Sequence, residues 1–212
     1  SSRVIPEEEI NIHFTGDAHA VGSAHNLLCA ITENEIQRHH IENVDAESIT
    51  WRRVTDVEDR ALRSITTGLG GKINAPLRQT GFDIVTASEI MAILALSNDY
   101  DDLRKRLGNI TVANKSDGTP VSATEVNAVG SMMALLKNAL LPNLVQTTEG
   151  QPAFVHTGPF GNIAHGCSSV VADKIALSYA DFVVTEAGFG ADLGFEKFMH
   201  IKCRSSGLKP SA

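Results

Sequence analysis

Short apolar segments alternate with longer helical patterns in the second half of the sequence. The apolar segments, which each predict a strand, lie at residues 109–113, 143–146, 153–156 and 181–185. The patterns that predict helices lie at residues 123–141, 162–179 and 191–204. Strands that alternate with helices are typical of an α/β fold with a largely parallel sheet. Because these strands are short and wholly apolar, we expect helices to cover both faces of the sheet.

The first half is predicted to be mostly helical. Helical patterns lie at residues 18–40, 61–69, 87–97 and 101–107. Asp17 stands immediately before the first of them, where an aspartate is a good N-cap. Its other interpretation is a buried carboxylate at the edge of a pocket. With 212 residues, the chain has the length of one large domain or of one and a half small ones.

Ligands of α/β folds bind at the carboxyl ends of the strands, which selects the segments that follow the predicted strands. Glu186, Gly188, Phe189 and Gly190 follow the strand at 181–185 and precede a helix. Glycines here allow close backbone approach and a positive φ, and the helix start offers free N–H groups to an anion. A tight turn without a ligand explains this loop equally well, because a lone Gly-x-Gly is a weak motif.

Two histidines flank a glycine- and proline-rich turn after the strand at 153–156. His156 ends that strand, and His165 lies near the start of the next helix, with Gly158, Pro159 and Gly161 between them. The pattern is typical of a shaped pocket wall. A rigid turn whose histidines cap backbone groups is favoured when the pattern is taken alone.

The sequence does not predict a metal site. His13, Asp17, His19 and His25 lie close in sequence, but positions 19 and 25 do not share one helix face. No His-Glu-x-x-His spacing occurs, and the three cysteines form no Cys-x-x-Cys pair. Three reduced, mostly buried thiols in a cytosolic protein are expected instead. A metal hydrolase that uses the histidines remains the weakest alternative.

The charge of the chain excludes several classes of partner. A formal net charge of −7 gives no basic surface for nucleic acid, and no apolar run is long enough to span a membrane. The first residues lack the apolar core of a signal peptide, and neither end of the chain has the character of a natural terminus.

Residues 51–63 mix arginines and aspartates around Trp51. This pattern predicts a salt-bridged surface or a subunit contact, with phosphate recognition as the second interpretation. Phosphate-binding (GxxxxGK[ST]), nucleophile-elbow (GxSxG) and dinucleotide (GxGxxG) motifs are absent.

Four long segments resemble the formate–tetrahydrofolate ligase family. They are INIHFTGDAHAV, TGFDIVTASEIMAILAL, NLVQTTEGQPAFVHTGPFGNIAHG and DFVVTEAGFGADLGFEKFMHIKCRSSGLKP. Their order and spacing agree with the family over essentially the whole chain. Gln79 stands where a glutamate is usual, and Ser169 follows Gly-Cys-Ser where Gly-Cys-Asn-Ser is usual; neither change is expected to touch a residue with a chemical role.

The resemblance implies a central part, residues 1–212, of a catalytic domain with a P-loop NTPase-like core. It implies that the phosphate-binding loop, with its lysine and a formate-binding arginine, lies upstream of Ser1, and much of the folate pocket downstream of Ala212. The family forms 10-formyltetrahydrofolate from formate, tetrahydrofolate and ATP with magnesium as substrates, through formyl phosphate, and without a prosthetic group. A cytoplasmic homo-oligomer is implied for the whole enzyme.

Site residues follow from the same resemblance. Asp17, Phe189 and Gly190 are implied to be catalytic: Asp17 orients a cation or takes the amine proton, and Phe189 shields formyl phosphate from water. Gly188, Glu186, His156 and His165 are implied to bind substrate or shape the pocket. By itself this chain is expected to be inactive; the alternative is a folded, non-catalytic α/β scaffold.

Overall fold

Helices and small sheets follow one another along the chain, in a computed structural model that describes residues 4–5, 7–13, 15–71 and 73–212. The helices are α1 (Glu7–His13), α2 (Gly16–Gln37), α3 (Glu89–Leu96), α4 (Tyr100–Gly108), α5 (Val129–Leu136) and α6 (Val170–Tyr179). A further helical segment, residues 191–206, contains π-helical turns at Ala191–Phe195 and Phe198–Cys203; we call it the C-terminal helix. The strands are β1 (Val4–Ile5), β2 (Arg53–Thr55), β3 (Ile65–Thr67), β4 (Arg78–Thr80), β5 (Phe82–Ile84), β6 (Thr111–Asn114), β7 (Pro120–Ser122), β8 (Asn143–Thr147) and β9 (Pro152–Val155).

The described strands form four small sheets. They are the three-stranded sheet β1-β8-β9 and the pairs β2-β5, β3-β4 and β6-β7. Only β2-β5 is parallel among them. The α/β class is thus confirmed, but the expectation of a largely parallel sheet was wrong for the described residues. The apolar strands β8 and β9 pair with each other as a hairpin, because only the short turn at 148–151 separates them.

Two further sequence predictions were wrong. Residues 181–185 form no strand and pair with no other strand among the described residues, and Phe182 and Val184 are 91% and 97% exposed. The helix expected at 61–69 is replaced by a 3-10 turn at Arg60–Leu62 and by strand β3. Consecutive β-branched residues in Ile65–Thr67 favour a strand over a helix.

Helix α2 lies at the centre of the core. Its buried residues Val21, Ala24 and Leu28 follow helical spacing, and the helix packs against α3, α5 and β2. Leu103 and Leu136 complete the apolar cluster around it. The predicted helix at 18–40 is confirmed, but α2 begins at Gly16 with Thr15 in the N-cap position. Asp17 as the N-cap was therefore wrong, since this residue lies within the first turn.

The charge-rich segment at 51–63 is anchored by a buried carboxylate. Glu33 accepts hydrogen bonds from Arg53 and Arg78, at 2.5 Å and 3.0 Å for the closest pairs. Burial alone would raise the pKa of Glu33, but the two guanidinium groups outweigh it and lower that pKa. Arg52 pairs with Asp83 at 3.2 Å. The arginines named here are thus occupied by intramolecular ion pairs, in agreement with the salt-bridged interpretation.

Candidate functional site

An open cavity of about 640 Å³ lies where the chain passes from β9 towards α6 and meets the loop before the C-terminal helix. It is lined by Phe154, Val155, His156, Thr157, Gly158, Pro159, Phe160, Gly161, Asn162, Gly166, Cys167, Ser168, Glu186 and Phe189. The predicted glycine- and proline-rich wall is thus part of a real cavity. We call residues 156–162 and 166–168 the cavity wall.

The cavity wall is tied to α2 through a buried carboxylate. Asp17 is 3% exposed, and its Oδ2 accepts a hydrogen bond of 2.5 Å from the backbone N–H of Thr157. Its Oδ1 accepts from the Thr15 hydroxyl and from the N–H of Ala18. Asp17 does not line the cavity, but it accepts a hydrogen bond from Thr157, which does. Charge-assisted bonds of this kind are stronger than neutral ones, so the carboxylate places the start of the wall firmly.

His156 lines the cavity, yet both of its ring nitrogens are engaged by protein groups. Nε2 lies 2.6 Å from the carbonyl of Ala139, and Nδ1 lies 2.6 Å from the hydroxyl of Ser169. Burial lowers the pKa of His156, against the opposing effects of Ala139 and Asp17. The ring is neutral at pH 7, so Nε2 donates to Ala139 and Nδ1 accepts from Ser169. His156 therefore braces the wall rather than offering a free nitrogen to a ligand, which matches the rigid-turn interpretation.

The loop at 186–190 contributes Glu186 and Phe189 to the cavity. Phe189 has a φ of 55°. Its ring packs against Gly161 so closely that a Cβ at Gly161 would lie 2.6 Å from the nearest ring carbons. Gly188 has a φ of 71°, as expected for a glycine in such a turn. Gly190 has a φ of −84°, so the expectation of a positive φ there was wrong. Gly188 and Gly190 adjoin the cavity without lining it.

His165 does not reach the cavity. It is buried behind the wall, and its Nε2 has no hydrogen-bond partner among the described residues. Burial, and then the ammonium groups of Lys202 and Lys197, lower the pKa of His165 to about 4. Lys202 itself is buried and pairs with Asp173 at 2.5 Å. The structure thus separates His165 from the other predicted site residues.

The cavity is nearly free of charge. Among the described lining residues Glu186 is the only acidic side chain, and no lysine or arginine is present. Burial raises the pKa of the Cys167 thiol to about 11, so it stays protonated. No group of three histidine, cysteine or acidic residues in the described ranges could hold a metal ion, although the side chain of His13 lies outside them. The walls offer hydrogen-bond donors and acceptors and apolar surface, which suits a neutral polar ligand group.

Several cavity residues were missed by the sequence analysis. Thr157 and Cys167 carry no motif signal, and nothing in a sequence shows that a threonine adopts a positive φ. Ser168 lies in the Gly-Cys-Ser segment that departs from the family pattern, and it lines the cavity, while the expectation that this change touches no residue with a chemical role stays a prediction. That departure was the one signal that could have drawn attention to it.

Comparison with known proteins places the chain in a family. The family model for formate–tetrahydrofolate ligase matches residues 1–212. The chain belongs to the formate–tetrahydrofolate ligase family. Formate–tetrahydrofolate ligases of Ruegeria sp. (strain TM1040) and Rhizobium johnstonii are each 60% identical to it over 211 residues, and that of Roseiflexus sp. (strain RS-1) is 58% identical. These matches cover 100% of this chain and 37–38% of the relatives' length.

Two of the segments through which the chain resembles formate–tetrahydrofolate ligases line the cavity, and the first is hydrogen-bonded to its wall. Asp17 belongs to the first of these segments, Thr157 to the third and Phe189 to the fourth. Positions 17 and 157 are 140 residues apart in sequence and are joined by a hydrogen bond.

No helix in the described ranges is both long and apolar enough to cross a lipid bilayer.

Proposed function

We propose that the chain is the central part of the catalytic domain of a ligase that forms 10-formyltetrahydrofolate from formate, tetrahydrofolate and ATP. The family match over the whole chain, together with two family-like segments that line one cavity and a third that is hydrogen-bonded to its wall, carries this proposal. The cavity then holds the formyl group and the amine that receives it. The complete core is proposed to be P-loop NTPase-like, and the complete enzyme a cytoplasmic homo-oligomer.

Two chemical steps are proposed. A formate oxygen attacks the γ-phosphorus of ATP, which gives formyl phosphate and releases ADP. The amine of tetrahydrofolate then attacks the formyl carbon, phosphate leaves with the electron pair of the broken C–O bond, and the amine loses one proton. Both steps place negative charge on oxygens, so preorganised N–H donors stabilise their transition states.

The loop at 186–190 is proposed to hold formyl phosphate. Backbone N–H groups of Gly188 and Gly190 meet its oxygens at the start of the C-terminal helix, where the helix dipole favours an anion. The ring of Phe189, which is 70% exposed at the cavity, covers the mixed anhydride and keeps water away from it. Glu186, His156 and His165 shape the pocket, His165 from behind the wall.

Asp17 is proposed to act at the reaction centre, by orienting a cation or by taking the amine proton. Its three hydrogen bonds support a further, positioning contribution through Thr157. Asp17→Asn in the complete ligase should therefore lower turnover strongly. Turnover close to that of the unsubstituted enzyme would restrict Asp17 to a structural role.

The nucleotide phosphates need cationic side chains, and no lysine or arginine lines the cavity among the described residues. We propose that the phosphate-binding lysine and the formate-binding arginine come from the part of the complete ligase that this chain does not cover. Magnesium enters with ATP as substrate, and no prosthetic group is required. The chain alone should accordingly show no ATP-dependent formylation of tetrahydrofolate, as also expected of the alternative, a non-catalytic scaffold.

Two substitutions in the complete ligase test the role of the loop. Phe189→Ala keeps the backbone donors but admits water, so the ratio of ATP hydrolysed to folate formylated should rise. Gly190→Val places a branched side chain against Asp192, whose Oδ1 lies 2.8 Å from the position of a Cβ at Gly190. It should weaken phosphate binding and turnover together, by up to the about 3–4 kcal/mol associated with one lost oxyanion donor. A purely structural turn would instead lower stability and leave the ratio unchanged.

A further inference from the structure

Thr157 carries a buried hydroxyl without a hydrogen-bond partner. The side chain is 7% exposed, and Oγ1 makes no hydrogen bond within the described residues. An unpartnered buried hydroxyl destabilises a fold, and a valine of the same shape would avoid that loss. Thr157 also lines the cavity. A hydroxyl kept in this place at a cost to stability is expected to find its partner in a bound ligand.

The backbone of Thr157 is also strained. Its φ is 58°, a left-handed conformation that is rare for a β-branched residue. The strain is offset by the hydrogen bond from its N–H to Asp17, and the next wall residue, Gly158, directs its N–H to the sulfur of Met91 at 3.4 Å. Phe189, with a φ of 55°, is the other non-glycine residue in the described cavity lining that has a positive φ. Two strained residues in one cavity mark it as a functional site.

The charges near Thr157 indicate which ligand group its hydroxyl meets. The carboxylate of Asp17 lies directly behind its N–H, Glu186 is the one acidic residue in the described lining, and no cation lines the cavity. A phosphate is therefore disfavoured next to Thr157, whereas the loop at 186–190, which is proposed to hold formyl phosphate, lies beside Gly161, whose carbonyl accepts a hydrogen bond from Lys197. An N–H group is favoured, because its positive end faces these carboxylates and a threonine hydroxyl accepts a hydrogen bond from it.

We propose that Thr157 is a substrate-contacting residue whose hydroxyl accepts a hydrogen bond from an N–H group of tetrahydrofolate. This inference rests on the proposed function for the identity of the amine-bearing substrate. The contact orients the amine for attack on the formyl carbon and is not part of nucleotide or formate binding. Thr157 thus determines the affinity of the enzyme for one of its three substrates.

The test compares Thr157→Val with Thr157→Ser in the complete ligase. Thr157→Val removes the hydroxyl at constant shape, so kcat/KM for tetrahydrofolate should fall by about tenfold, the usual effect of one neutral hydrogen bond. The KM values for ATP and formate should stay unchanged, and the melting temperature should be equal or higher. Thr157→Ser keeps the hydroxyl and should retain kcat/KM. Should Thr157→Val fold poorly, Thr157→Ala removes the same hydroxyl and gives the same comparison.

Thr80→Val is the matched control. Thr80 lies in β4, away from the cavity, and its buried hydroxyl is likewise unpartnered among the described residues. Thr80→Val should not lower the stability of the enzyme and should leave all three KM values unchanged. Unchanged kcat/KM for tetrahydrofolate in both Thr157→Val and Thr157→Ala overturns the inference, and so does an equal loss in Thr80→Val. Calorimetry measures the affinity of each variant for tetrahydrofolate without turnover and so tests the contact by itself. Absence of ligase activity in the unsubstituted complete enzyme would refute the proposed function separately.

Discussion

Asp17 and Thr157 form a pair in which a buried carboxylate offsets a strained backbone. Asp17→Asn presents an amide N–H₂ to one of the three donors that now face carboxylate oxygens. We expect this to lower the free energy of unfolding by about 1–3 kcal/mol. Adding Thr157→Gly should restore about 1 kcal/mol or more, because glycine adopts a φ of 58° without strain. Urea denaturation of the single and double variants measures this, and a double variant no more stable than Asp17→Asn alone would contradict it.

Buried neutral histidines make stability depend on pH. Burial lowers the pKa of His25 to about 4, against the effect of the Arg52 carbonyl, and the pKa of His165 is likewise about 4. Below a pH of about 6.5 the unfolded chain binds these protons and the folded chain does not. The free energy of unfolding should therefore fall from pH 6.5 to about 4, by up to about 1.4 kcal/mol per pH unit for each histidine, and then level off. His165→Leu should flatten this pH profile; profiles parallel to that of the unsubstituted chain would count against this origin.

At the scale of elements, one buried ion pair holds the C-terminal helix to the beginning of α6. Lys202 contacts Asp173 at 2.5 Å and the Ser168 hydroxyl at 3.4 Å, with both charged side chains largely buried. Lys202→Met leaves the Asp173 carboxylate without its cation and should cost about 3–5 kcal/mol. Lys202→Met combined with Asp173→Leu should recover most of that loss. Hydrogen exchange of residues 191–206 follows the effect, and equal protection in all variants would show that the pair does not hold this helix.

The sequence predicted the elements whose neighbours are local and failed where the partner is distant. Helix α2 and strands β8 and β9 are close to their predicted bounds, because apolar periodicity alone determines them. Residues 181–185 have the pattern of a strand but no strand partner among the described residues. The pattern alone could not reveal that this partner is lacking. In the site, turn chemistry drew attention to Gly158, whereas the role of Phe189 was implied by the resemblance to the family. Thr157 was missed, because its importance comes from Asp17, 140 positions away.

At the scale of the whole molecule, several exposed apolar side chains follow one another at the end of α6 and in the segment after it. Tyr179, Phe182 and Val184 are exposed there. Contiguous apolar surface promotes association, whereas single exposed apolar residues are ordinary. The isolated chain should therefore self-associate in a concentration-dependent way, and Phe182→Lys with Val184→Lys should reduce this. Sedimentation velocity measures it; Val57→Lys, at an exposed residue outside this segment, is the control, and equal effects of both changes would contradict the assignment.

The missing side chain of Gly161 has a consequence for how this family can vary. The ring of Phe189 occupies the space that a methyl group at position 161 would need, with ring carbons 2.6 Å from it. A side chain at position 161 and the present position of the Phe189 ring therefore exclude each other. Because the ring is 70% exposed, it can turn outwards to make room. Relatives with a larger residue at position 161 should therefore hold the side chain at position 189 farther from the cavity.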